Sequence, residues 1–156
     1  MINQFVFIFI LTFIQSSAFA ERVELNKILF TTGNTSWSSR DQQIYQTVLN
    51  EVFKRKRISQ YSQSEFNDFL LSRLAEKEAN TFELKYDKIE ATEAQKKKMG
   101  FSNSEIVAEV QRISKAITLT EIKESYHNDT KRFASWFDVM KRKYTVKIKA
   151  IDAKEM

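Results

Sequence analysis

The stretch Tyr144 to Ile151, YTVKIKAI, constrains this chain more than any other, because it is a strand closing a sequence that otherwise reads as helix. Tyr144, Val146, Ile148 and Ala150 fall on one face and Thr145, Lys147 and Lys149 on the other, the period-two pattern of a strand with one side buried. A strand carries open backbone donors and acceptors, so the fold must supply a partner. The other segment with strand character is Arg22 to Phe30, RVELNKILF, followed by the turn-forming cluster TTGNTS around Gly33. Its apolar residues divide between two faces, Val23, Leu25 and Leu29 against Ile28 and Phe30. Antiparallel pairing of these two strands satisfies both backbones and brings the ends of the domain together. A two-stranded ribbon is marginal in water, so it must lie against the helices.

The chain has two glycines and no proline, a composition that favours long uninterrupted helices. Ser38 with Asp41 forms a capping-box pattern ahead of Ile44, Val48, Leu49, Val52 and Phe53, which recur at helical spacing to about Lys56. Ser62 with Glu65 opens a second helix, with Phe66, Phe69, Leu70, Leu74 and Phe82 as its stripe, running to about Leu84. Thr92 to Met99 reads as a short polar helix stopped by Gly100. Ser102 with Glu105 starts a fourth, with Ile106, Val107, Val110, Ile113 and Ile117 down one face. Thr118 with Glu121 starts the last, with Ile122, Tyr126, Phe133, Phe137 and Met140 as its stripe. Ending near Lys143, that helix would be roughly 37 Å long and the spine of the domain. The expected fold is therefore mainly α, a bundle of about five helices with the N- and C-terminal strands pairing as a small antiparallel ribbon.

Residues 1–20, MINQFVFIFILTFIQSSAFA, hold no charged side chain, carry an apolar run from Phe5 to Ile14, and end on the small-x-small pattern Ala18-Phe19-Ala20. They read as a secretory signal peptide cut before Glu21, with an uncleaved anchor as the alternative. The apolar run is short of the ~20 residues a membrane span needs, so no stable span is expected after cleavage. Removing 20 of the 156 residues leaves 136 in a single domain, 21–156, large enough to bury about two-thirds of its unfolded surface. The net charge of +5 belongs to that part. In an exported protein it points away from nucleic acid and toward anionic envelope surfaces or acidic polypeptides, or to lysines on solvated helix faces. The run Lys54 to Arg57, KRKR, complements a helix C-terminus without any ligand.

Composition also excludes chemistry. Without cysteine there is no thiol nucleophile, lipoprotein anchor or disulfide, and two isolated glycines cannot write a phosphate-cradling loop. His127 is the only histidine, so the usual zinc sites and acid–base dyads lack their main component. Carboxylate pairs such as Glu76 with Glu83 or Glu121 with Glu124 read as solvated helix faces. No catalytic residue, metal or cofactor is expected.

The order of elements resembles the N-terminal core domain of the SurA-type periplasmic chaperones. The likeness rests on RVELNKILF with the turn into WSSRDQQIYQTVLNEVF, on the helix FNDFLLSRLAEKEANTFEL, and on the closing FASWFDVMKRKYTVKIKAI. It covers about residues 22–151 and consists of packing patterns rather than a catalytic signature. Family members usually insert parvulin-type prolyl isomerase domains before the closing segment, and no stretch here could hold one. The resemblance therefore implies a stripped, periplasmic chaperone core without isomerase activity, whose clients would be unfolded outer-membrane proteins held in an apolar crevice.

Function is expected to be non-enzymatic binding of unfolded or extended polypeptides. Fifteen of the 136 residues are aromatic, and Trp37, Tyr45, Tyr61 and Trp136 are the candidate exposed anchors. The alternative is an envelope adaptor that docks one specific folded partner through a strand edge or the basic helix ends.

Overall fold

The computed structural model describes residues 26–149. The expected signal peptide, the start of the N-terminal strand at residues 22–25, and the chain from Ala150 onward lie outside them. Strand β1, Ile28–Thr32, pairs antiparallel with β3, Val146–Ile148, in the register Phe30↔Ile148, Thr31↔Lys147 and Thr32↔Val146. The first and last strands do meet, but not alone. A further strand, β2, Thr35–Ser38, folds back on β1, giving a three-stranded sheet in the order β2-β1-β3. The hairpin turns on Gly33-Asn34, where Gly33 at φ 59° occupies the left-handed region without a Cβ penalty. TSWS is too short and too polar to announce a strand. It forms because Trp37 is drawn into the core, with its indole Nε1–H donating to Thr32 Oγ1 at 3.1 Å.

Five helices follow: α1, Ser39–Glu51; α2, Glu65–Thr81; α3, Glu93–Met99; α4, Asn103–Tyr126; α5, Thr130–Lys143. Ser38, Thr92 and Ser102 cap α1, α3 and α4 with complete capping boxes. Three expected boundaries move. Helix α1 stops at Glu51 rather than near Lys56: Val52 is its C-cap, still in the right-handed helical region, and Lys54 at φ 55° turns the chain away while Val52 and Phe53 pack against the core. Helix α2 is capped by Ser64 instead of Ser62, whose side chain is buried in the preceding loop and whose carbonyl accepts from Arg57. Phe82, expected on the α2 stripe, lies past the helix end and is 63% exposed.

The largest correction concerns the spine. Thr118 and Glu121 start no helix; Thr118 Oγ1 donates to the Ser114 carbonyl at 2.9 Å, a back-bond made inside an unbroken α4. The break comes at His127 to Asp129, where Asp129 Oδ1 accepts from the Arg132 N–H at 2.8 Å and caps α5. The long element is therefore α4, 24 residues and about 36 Å. Ile106, Val110, Ile113 and Ile117 line its buried face, while Ile122 and Tyr126 lie exposed near its end.

With so few glycines the chain uses ordinary residues where it leaves helices: Lys54, Glu83 and Thr145, just past α1, α2 and α5, all have positive φ. The core joins Phe30 and Trp37 of the sheet to Tyr45 and Leu49 of α1, Phe69 and Leu74 of α2, and the buried stripe of α4.

Arg40 of α1 bridges to the Glu105 carboxylate of α4 at 2.8 Å, and with the Ser102 bonds this lowers the Glu105 pKa from 4.5 to about 2. A depressed carboxylate stabilises the fold fully above its unfolded pKa, and that contribution fades as pH falls from about 4.5 toward 2. Glu105→Gln is expected to flatten the acid limb of a melting-temperature profile in that window. Both side chains are partly exposed, so the change is small, a few degrees at most, and shrinks further in salt.

Candidate functional site

The four candidate aromatics divide into two pairs. Trp37 and Tyr45 are core residues, 8% and 0% exposed, and not surface anchors. Trp37 lies under two cations, with the Arg73 guanidinium carbon 4.6 Å and that of Arg112 5.8 Å from its ring centre. The Tyr45 hydroxyl donates to buried Asp68 at 2.6 Å; burial first and the neighbouring carboxylate second push its pKa well above the ordinary value of 10. Asp68 also accepts from the backbone N–H of Ile58 at 3.0 Å, which ties the loop before α2 to that helix.

Tyr61 and Trp136 are half-buried and lie on either side of Phe133. The Tyr61 and Phe133 rings are 5.0 Å apart, those of Phe133 and Trp136 5.1 Å. On the Tyr61 side, α2 and α5 leave a groove of about 180 Å³ lined by Tyr61, Leu71, Phe133 and Phe137, with Asn67 and Lys141 at its polar margin. The groove exists because the two helices are fastened at one end. Glu78 of α2 accepts from Lys143 Nζ at 2.7 Å and from the Tyr144 hydroxyl at the end of α5. Burial raises the Glu78 pKa, but the bonds to Lys143 and Tyr144 outweigh it and hold the carboxyl below 4.5. Burial and the Glu78 bond together push the Tyr144 phenol upward.

A second open apolar feature is the sheet edge. Strand β3 pairs with β1 on one side only among the described residues, and Ile148, opposite buried Phe30, is 55% exposed. Such an edge can accept an extended chain by backbone pairing. A larger hollow of about 500 Å³ lies between residues 86–91 and α4, with Lys88, Glu90, Lys96 and Gln111 among its walls. Tyr86, Ile89, Ala91, Val107 and Val110 also line it, so it carries one aromatic ring where the α2–α5 groove carries three.

The basic run Lys54–Arg57 does not complement a helix C-terminus as expected, because α1 ends at Glu51 and its last turn holds no cation; instead Lys54 reaches Glu51 at 4.0 Å, Arg55 bonds Glu121 at 2.7 Å and Arg57 bonds the Ser62 carbonyl. His127 caps α4 through its backbone, at the joint with α5. Among the described residues no group of three or more His, Asp or Glu is placed to hold a metal, and no helix is long and apolar enough to cross a membrane. Comparison with protein-family models, curated proteins and solved structures finds no match for the chain.

Sequence reading missed the groove walls Leu71 and Phe137. Leu71 did not appear in the apolar stripe, and Phe137 was read as core. Helical periodicity marks the face a side chain is on, not whether its neighbour covers it.

Proposed function

We propose that this chain is an exported, non-enzymatic chaperone-like domain that binds extended apolar stretches of unfolded polypeptide in the groove between α2 and α5. The carrying observation is the aromatic lining itself, Tyr61 and Phe137 at an open groove floored by buried Phe133, with Trp136 edge-on to Phe133. Aromatic rings gain contact area with little loss of side-chain entropy and tolerate varied apolar partners. The β3 edge, unpaired among the described residues, adds a sequence-independent way to hold backbone. The resemblance to SurA-type chaperones supplies the client class, unfolded outer-membrane proteins.

In a dilution assay, a denatured outer-membrane protein should aggregate more slowly in the presence of the chain at equimolar amounts, while a folded protein leaves it unbound. Tyr61→Ala combined with Phe137→Ala should weaken the protection roughly tenfold or more, the effect of removing central interface anchors. Aggregation at the same rate with and without the protein would sink the proposal.

A further inference from the structure

Charge is distributed unevenly along this chain. Between Asp129 and Lys149 there are seven cations and only two carboxylates, an excess of five, which equals the net charge of the whole chain. The rest of the sequence is balanced. Within this segment Arg132 pairs with Asp129 at 3.3 Å, Lys141 with Asp138 at 2.6 Å, and Lys143 with Glu78 at 2.7 Å. Lys131, Arg142, Lys147 and Lys149 are exposed and have no carboxylate partner among the described residues.

On α5 the excess faces outward. Lys131, Ser135, Val139 and Arg142 follow a four-, four- and three-residue spacing, so they stack along one side of the helix, and all four are exposed. Arg132 and Lys143 flank that stripe, with half-buried Trp136 between them on the next row. Val139, at 50% exposure, is a large apolar side chain one turn from Arg142 and Lys143, and the one carboxylate beside it, Asp138, is paired with Lys141 at 2.6 Å. The groove residue Phe137 and the core residues Phe133 and Met140 lie on the other side of the helix.

We propose that the outward face of α5 docks this domain on an anionic lipid bilayer. A convex helix face offers no cleft for a peptide but fits a flat partner whose negative charge continues in every direction. Cations at such a surface add attraction that salt screens, and an exposed valine beside a tryptophan suits the boundary between headgroups and acyl chains. Because this face is separate from the groove, the docked domain keeps its polypeptide site free.

The test is co-sedimentation of the full chain with phosphatidylcholine vesicles, with and without phosphatidylglycerol. The chain is expected to bind the vesicles containing phosphatidylglycerol, and to be released as salt rises toward ~0.5 M. Reversing the charge of Lys131, Arg132 and Arg142 to Glu should weaken that binding on the order of a hundredfold. All three positions are exposed, so thermal melting should be little changed. Equal binding to both vesicle types, surviving in the reversed variant, would place the attachment in the apolar residues 1–20 and overturn the proposal. Binding to polyglutamate but not to phosphatidylglycerol vesicles would overturn it too, assigning the face to an acidic polypeptide. Neither result bears on the groove, since the three substitutions leave its lining intact.

Discussion

Replacing Glu109 with alanine is expected to destabilise the domain by about 3–5 kcal/mol, the usual consequence of stranding one member of a buried ion pair. Arg73 is fully buried at the centre of α2, and its Nη2 donates to Glu109 Oε1 on α4 at 2.7 Å, with Glu109 only 2% exposed. Nε and Nη1 of the same guanidinium have no hydrogen-bond acceptor. They lie instead against aromatic faces, with the guanidinium carbon 4.6 Å from the Trp37 ring centre and 4.8 Å from that of Phe69. Cation–π contact offsets part of the desolvation cost but does not replace a carboxylate. In Glu109→Ala the positive charge stays in the core without its counter-ion, and Arg112 loses its partner at 3.4 Å as well. The measurement is a melting curve, in which the loss should read as a fall of roughly 10–20 °C. The double substitution Arg73→Met, Glu109→Leu removes both charges at similar volume and should recover most of it, to within about 1 kcal/mol of the parent. A single variant as stable as the parent would show that the pair is solvated and that the packing of α2 on α4 has been misread.

The second large effect is at Asp68. Its carboxylate is fully buried and accepts from the Tyr45 hydroxyl at 2.6 Å and from the N–H of Ile58 at 3.0 Å and of Ser59 at 3.4 Å. Alanine there strands a phenol and two backbone donors away from water, each costing about 1–3 kcal/mol. A total loss of about 3–5 kcal/mol is expected by chemical denaturation. Tyr45→Phe removes only one donor and leaves the loop tied, so about 1–2 kcal/mol is expected. The two variants should also differ in kind. Asp68→Ala should raise amide exchange in the loop between α1 and α2, and Tyr45→Phe should not. Equal losses with equal loop exchange would show that Asp68 serves Tyr45 alone.

These two clusters show where the sequence was legible and where it was not. Helix existence followed from capping chemistry, because Ser38, Thr92 and Ser102 satisfy the first-turn donors whatever surrounds them. The meeting of the terminal strands followed from the need to pair a lone strand. The false helix start at Thr118 arose because a threonine inside a helix and one at its cap have the same spacing to a glutamate. Only the back-bond to Ser114 distinguishes them. Strand β2 was hidden for the opposite reason, three polar residues around one tryptophan, ordered because Trp37 is buried in the core beneath Arg73. That burial also moved Trp37 from candidate anchor to core, since no local pattern reveals that Arg73 lies above its ring. The groove is legible only in part. Tyr61 and Trp136 stood out as surplus aromatics, but their common neighbour Phe133 comes from the packing of α5 against the loop before α2.

The most direct measurement is a titration of the chain with an unfolded outer-membrane protein and, separately, with the same protein folded, following tryptophan emission. Trp37 is sealed in the core and Trp136 meets the groove residue Phe133 edge-on, so an emission change that is lost with Tyr61→Ala and Phe137→Ala reports the α2–α5 site. Saturable binding of the unfolded client alone is expected, weakened by Tyr61→Ala with Phe137→Ala at a temperature where the variant's own melting curve shows it still folded, since both rings also pack against the core. Binding of neither form, or an affinity unchanged by the two groove substitutions, would contradict the assignment of the groove as the polypeptide site.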